Sequence, residues 1–184
     1  MKTYTTNSGK QIKVWDNIIN HATGEFFFQY ARNSAYRLGW GDGYTDEHRK
    51  YQYLHCALTN EEAASSMVLN AIGQSEIKDH LGDLSLSKAI VNLSTPSDVH
   101  FPHTHSDKFV LLYYVNPIWR AQWYGETLFW DESATNIELA LPYTPRRLVL
   151  FEGSTPHSIR PQSRDCESHR FTYAMFFDKE KGEK

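Results

Sequence analysis

From about residue 86 to residue 177 the chain is a succession of short apolar runs separated by turn residues, and that spacing admits few folds. It predicts strands at about 86–94, 108–116, 126–130, 136–141, 146–152, 157–160 and 169–177, which is the signature of a β-sandwich or barrel. The run Phe109-Val110-Leu111-Leu112-Tyr113-Tyr114-Val115 is apolar on both faces. A strand without a polar face needs cover on both sides, so an opposing sheet is expected over one face and N-terminal helices over the other. The expected architecture is mainly β with flanking helices (α+β): a two-sheet jelly roll, or double-stranded β-helix, with the N-terminal helices packed on one sheet.

The first half reads as mixed helix and strand. Asp16 can cap a segment in which Ile18, Ile19, Ala22, Phe26, Tyr30 and Asn33 recur at helical spacing. Thr59 or Asn60, followed by Glu61, Glu62, Ala63 and Ala64, has the form of a cap with acidic residues in the first turn, and Met67, Val68, Ala71 and Ile72 continue an apolar stripe. Between them Gly39-Trp40-Gly41-Asp42-Gly43 reads as a turn-rich loop whose aromatic content serves packing or substrate contact equally well. With 184 residues, 40% of them hydrophobic, and no break in composition, one domain over 1–184 is expected. Its helical support covers about 1–85 and its jelly-roll core about 86–177.

A formal net charge of −3 gives no electrostatic footprint for nucleic acid, and no run of like charge marks a basic tail. The two cysteines, Cys56 and Cys166, stand far apart and form no Cys-x-x-Cys pair, which fits a reducing cytoplasm. The N-terminus is polar, and nowhere do eighteen apolar residues follow one another, so neither export nor a membrane partner is expected.

Against that background the tripeptide His105-Ser106-Asp107 stands out. On a strand, residues two apart project from the same face, so His105 and Asp107 can grip one ion, and His157 can add a third ligand from another strand. Two imidazoles and one carboxylate, with coordination positions left open, suit a non-haem Fe(II) oxygenase site. His103 shares the face of His105, so a three-histidine site of His103, His105 and His157, of the cupin type, is the alternative. His21, His48, His55, His80 and His169 have no partner at ligand spacing. Arg170 lies inside an otherwise apolar strand, and a buried guanidinium needs an anionic partner such as a dicarboxylic co-substrate beside the metal. A surface bridge from Arg170 to Asp165 or Glu167 is the competing reading.

The ordered set His105-x-Asp107, Tyr114 in Leu-Tyr-Tyr-Val-Asn, Trp119, Gly125-Glu126-Thr127-Leu128, Leu148-Val149-Leu150-Phe151, His157 and Arg170-x-Thr172 resembles the Fe(II)- and 2-oxoglutarate-dependent dioxygenases, in their prolyl 4-hydroxylase-like branch. The resemblance covers roughly 86–177. It implies His105, Asp107 and His157 as catalytic iron ligands and Arg170 as partner of the distal carboxylate of 2-oxoglutarate. It further implies that Tyr114 hydrogen-bonds that carboxylate and that Thr172 assists. Asn92 stands where many prolyl hydroxylases carry a tyrosine on 2-oxoglutarate. The implied activity is hydroxylation of an unactivated C–H bond with release of succinate and CO₂, on a small-molecule or a peptide or protein substrate. Fe(II) and 2-oxoglutarate are the implied cofactors, and the resemblance admits ascorbate as a further one. The alternative is a cupin-like small-molecule enzyme, or a binding module without turnover, built on His103, His105 and His157.

Overall fold

The structure is a computed structural model that describes residues 1–43 and 45–179. Its strands are β1 (Lys2–Thr5), β2 (Gln11–Trp15), β3 (Arg37–Trp40), β4 (Tyr53–Leu58), β5 (Ser85–Ser94), β6 (Phe109–Tyr114), β7 (Thr127–Trp130), β8 (Ile137–Leu141), β9 (Leu148–Glu152), β10 (His157–Ile159) and β11 (Arg170–Asp178). The helices are α1 (His21–Asn33), α2 (Asn60–Ala64), α3 (Met67–Gly73) and α4 (Ile77–Leu81). The larger sheet runs β1-β2-β9-β6-β11-β5-β4-β3 and the smaller β10-β7-β8, with antiparallel pairing throughout. A bridge between His103 and His157 lays the segment before β6 alongside β10. This is the jelly roll expected from the strand spacing.

Alternation along the central strands makes two cores. On β6 and β11 the side chains of Leu111, Tyr113, Phe171, Tyr173 and Met175 turn outward, where they meet Phe27 and Ala31 of α1 and Val68 and Ile72 of α3. Val110, Tyr114, Ala174 and Phe176 turn inward against Phe129 and Leu141 of the small sheet. The two-sided apolar run of β6 is thus covered by helices on one face and by the small sheet on the other.

The N-terminal half departs from expectation in detail. Asp16 does not cap α1: Asn17 takes a left-handed φ of 68°, and the cap is Asn20, whose side chain accepts from Thr23 N at 2.9 Å. Asp16 instead accepts two hydrogen bonds from Arg147, at 2.8 and 3.1 Å. The second helix starts at a capping box between Thr59 and Glu62, as its sequence requires, but stops after Ala64. Ser66 then caps α3 through Val68 N, so the apolar stripe bends around the sheet as two short helices. Strands β1 to β4 widen the large sheet beyond the seven strands located from spacing, and all seven of those form.

Candidate metal and anion site

His103 and His157 exchange backbone hydrogen bonds of 2.9 and 3.0 Å, and His105 N donates to Gly153 O at 2.7 Å. Gly153 has to be glycine, because a Cβ there would collide with the carbonyl of Asp107 and lie 3.1 Å from that of His105. This pairing turns three imidazoles inward, with ring centroids 4.5 to 5.0 Å apart and one nitrogen from each within 4.8 Å of the others. The Nδ1 atoms of His103 and His157 face the carbonyls of Phe101 and Thr155 at 3.0 and 2.9 Å. A carbonyl only accepts, so both Nδ1 atoms carry a proton, which leaves Nε2 as the nitrogen that each ring can offer a metal. Burial, then the neighbouring charges of His103 and Lys88, push His105 down to about 3. His157 is likewise held far below its ordinary value by burial and by the other two histidines. Both are therefore neutral, as a ligand must be.

Asp107 is not brought into this group. Residues 106–108 form a bend before β6, which takes Asp107 off the face that His105 shares with His103. Its Oδ1 accepts from Ser87 Oγ at 2.7 Å, and its Oδ2 lies 3.6 Å from Lys88 Nζ. The trio that converges is the three-histidine alternative, His103, His105 and His157.

At the other end of the same cavity lies Arg170, 0% exposed. Its Nε donates to Gly125 O at 2.9 Å, while Nη1 and Nη2 are buried with no hydrogen-bond partner among the described residues. Gly125 takes a positive φ of 81°, and a Cβ on it would press within 3.2 Å of the Arg170 Cδ. The competing surface bridge is excluded, since Arg170 is enclosed and Glu167 pairs with Arg120 instead. Thr172 and Asn92 sit opposite one another on β11 and β5, and both line the cavity. The Asn92 Oδ1 is buried without a partner. Tyr114 is buried and stacked on Tyr143 at 4.6 Å, and its hydroxyl donates to Thr127 Oγ1 at 2.7 Å. Thr127, rather than Tyr114, is the one of this pair that lines the cavity.

Sequence reasoning missed Asp42, Tyr53 and His100, which close the histidine end. Asp42 accepts 2.7 Å hydrogen bonds from Tyr53 Oη and Phe101 N. Burial opposes its ionisation, but the hydrogen bond from His100 and the fields of His103 and His100 outweigh it and hold the carboxyl below its ordinary value. Spacing carries no signal for Asp42 or Tyr53, which lie far from the ligand histidines in the chain, whereas His100 stands in the same short segment as His103 and was within reach of the sequence.

No protein-family model matches the chain, and no curated protein matches it. Solved structures do. A prolyl hydroxylase from Trichoplax adhaerens, in complex with a hypoxia inducible factor oxygen degradation domain peptide fragment, superposes with a TM-score of 0.66 over 92% of this chain and 84% of its own, at 17% identity. A Pseudomonas putida prolyl-4-hydroxylase gives 0.62 over 91% and 92%, at 18% identity. The chain has the prolyl hydroxylase fold. HygX from Streptomyces hygroscopicus, with nickel and 2-oxoglutarate bound, shares it at a TM-score of 0.63 over 92% of this chain and 83% of that one, at 11% identity. The likeness to prolyl hydroxylases extends well beyond residues 86–177 and takes in much of the N-terminal segment. No helix among the described residues is long and apolar enough to cross a membrane.

Proposed function

We propose that this chain is an Fe(II)- and 2-oxoglutarate-dependent dioxygenase that hydroxylates an unactivated C–H bond and releases succinate and CO₂. The observation that carries the reading is one cavity with three converging imidazoles at one end and a fully buried guanidinium with two unpartnered nitrogens at the other. An enclosed cation without an acceptor is costly, and a dicarboxylate lying between the two ends removes that cost. The residues fit both groups. His105 and His157 hold the metal, with His103 favoured over Asp107 as third ligand by position. Arg170 takes the distal carboxylate, with Thr127, Thr172 and Asn92 beside it. When bound, the iron supplies oxygen activation and 2-oxoglutarate the electrons. The protein orients both, and Val110, Leu112, Ala174 and Phe176 keep the cavity wall apolar so that bulk water is excluded. The substrate is a peptide or protein side chain or a small molecule, met in a reducing compartment such as the cytoplasm.

The three-histidine geometry also favours a second reading, a cupin-like metal enzyme or a binding module that ignores 2-oxoglutarate. Anaerobic Fe(II) and 2-oxoglutarate, followed by oxygen with ascorbate present, separate the two. The proposal expects the visible charge-transfer band of the chelate and then succinate. A metal-loaded protein that gives neither the band nor succinate belongs to the second reading.

A further inference from the structure

The three histidines carry no negative charge between them, although a divalent cation at their centre calls for some. The carboxylate that reaches them from behind is Asp42, whose side chain is 5% exposed. Its Oδ1 lies 3.4 Å from His103 Nδ1. Its Oδ2 accepts from Phe101 N at 2.7 Å, lies 2.7 Å from Tyr53 Oη, whose one hydrogen it shares with the Val99 carbonyl, and lies 3.5 Å from His100 Nδ1. Phe101 closes the arrangement, because its N–H donates to Asp42 while its carbonyl accepts from His103 Nδ1. The carboxylate therefore cannot rotate without breaking the Phe101 hydrogen bond and leaving Tyr53, and its other oxygen is held towards one imidazole.

We propose that Asp42 is the positioning residue of the metal centre: through His103 Nδ1 it fixes that ring with Nε2 towards the other two histidines, and it supplies the negative charge that a three-histidine ligand set lacks. The proposal rests on His103 being a ligand. A carboxylate behind a ligating imidazole raises the basicity of the metal-bound nitrogen and fixes the tautomer. Asp107 does not stand behind a ring in this way: its field reaches His105, but its Oδ1 accepts from Ser87 and its Oδ2 lies 3.6 Å from Lys88 Nζ. The arrangement also ties the metal centre to the loop after β3, outside the jelly roll proper.

The test is metal affinity, read by chelator competition with Co(II) and Zn(II), together with the melting temperature of the metal-free protein. In Asp42→Asn the amide oxygen can keep the partners of Oδ2, which leaves an N–H group facing His103 Nδ1. Metal affinity should fall by about ten- to a hundredfold, the usual cost of losing such a partner. Tyr53→Phe removes another partner of the same carboxylate without touching its charge, and should leave metal affinity within about threefold. An Asp42→Asn protein that binds metal as tightly as wild type, while His103→Ala does not, overturns the positioning role alone. Wild-type affinity in His103→Ala instead overturns the ligand reading on which the role rests. Should Asp42→Asn fail to fold, nitrogen-15 histidine spectra of the unmutated Zn(II) protein decide: Nε2 of His103 on the metal with Nδ1 protonated supports the proposal, and ligation through Nδ1 refutes it.

Discussion

At the histidine end of the cavity two of the three rings donate from Nδ1 to carbonyls two residues back in their own segments, whereas at the Arg170 end two guanidinium nitrogens face the cavity with nothing to donate to. The two Nδ1 donors have their acceptors, and the two guanidinium donors have none. An unmade hydrogen bond on a buried neutral group costs about 1–3 kcal/mol, and a charged one costs more. The histidine end is therefore a site whose geometry stands before its ion arrives, and the arginine end is one whose energy is recovered only when an anion arrives. Removing side chains at the first end should chiefly cost metal, and at the second should chiefly cost co-substrate.

The largest effect is expected at the histidine end. Losing a residue behind a ligand already costs metal affinity about ten- to a hundredfold, so losing a ligand should cost about a hundredfold or more. His103→Ala, His105→Ala and His157→Ala should each show this in chelator competition. Asp107→Ala should stay within about threefold of wild type, because its carboxylate serves Ser87 and Lys88. The opposite ranking, with Asp107 essential and His103 dispensable, would mean that the bend at 106–108 straightens on metal binding and restores the ligand trio read from the His105-x-Asp107 spacing.

At the arginine end the expected loss is smaller and falls on a different ligand. Lysine cannot reproduce the planar fork of a guanidinium, so Arg170→Lys should weaken 2-oxoglutarate binding by roughly 1.5–3 kcal/mol, about ten- to a hundredfold, with metal affinity unchanged. Arg170→Met makes the contrast sharper. It removes the buried charge, so the metal-free protein should melt no lower than wild type, while 2-oxoglutarate should no longer raise its melting temperature. A variant that melts well below wild type without ligand would show that Arg170 is structural through its Nε bond to Gly125, and that the two ends do not differ as described.

The same contrast explains what was legible in the sequence. The strands of the jelly roll follow from local alternation and turn residues, and β6 announced its two-sided cover through its unbroken apolar run. Arg170 was legible because a charge inside an apolar strand is anomalous wherever it is found. The choice between His103 and Asp107 was not, because it depends on a bend at 106–108 and on the pairing of His103 with His157, which only the assembled sheet creates. Asp42 lay further out of reach. Its partners come from β4 (Tyr53) and from the segment 100–103 (His100, Phe101 and His103), and no periodicity links a glycine-rich loop to either. Strands β1 and β2 are a different case: Ile12 and Val14 alternate with polar residues and are buried, a short signal easily passed over in a polar N-terminus.

The smallest effect concerns how the anion end is finished. The family resemblance puts the Tyr114 hydroxyl on the distal carboxylate, but here that hydroxyl donates to Thr127 Oγ1, and Thr127 is the one that lines the cavity. A threonine hydroxyl that accepts from Tyr114 keeps its own hydrogen free to donate, so the tyrosine can act on an anion through the threonine. Thr127→Val should then raise the 2-oxoglutarate dissociation constant by about three- to tenfold, the worth of one net hydrogen bond of roughly 0.5–1.5 kcal/mol. Tyr114→Phe should raise it less, because Thr127 remains, and should show mainly as about 1 kcal/mol of lost stability from a buried hydrogen bond. Isothermal titration of both variants with 2-oxoglutarate, beside their melting temperatures, gives the order. A larger loss of affinity in Tyr114→Phe than in Thr127→Val would mean that the tyrosine turns to the carboxylate directly when the co-substrate binds.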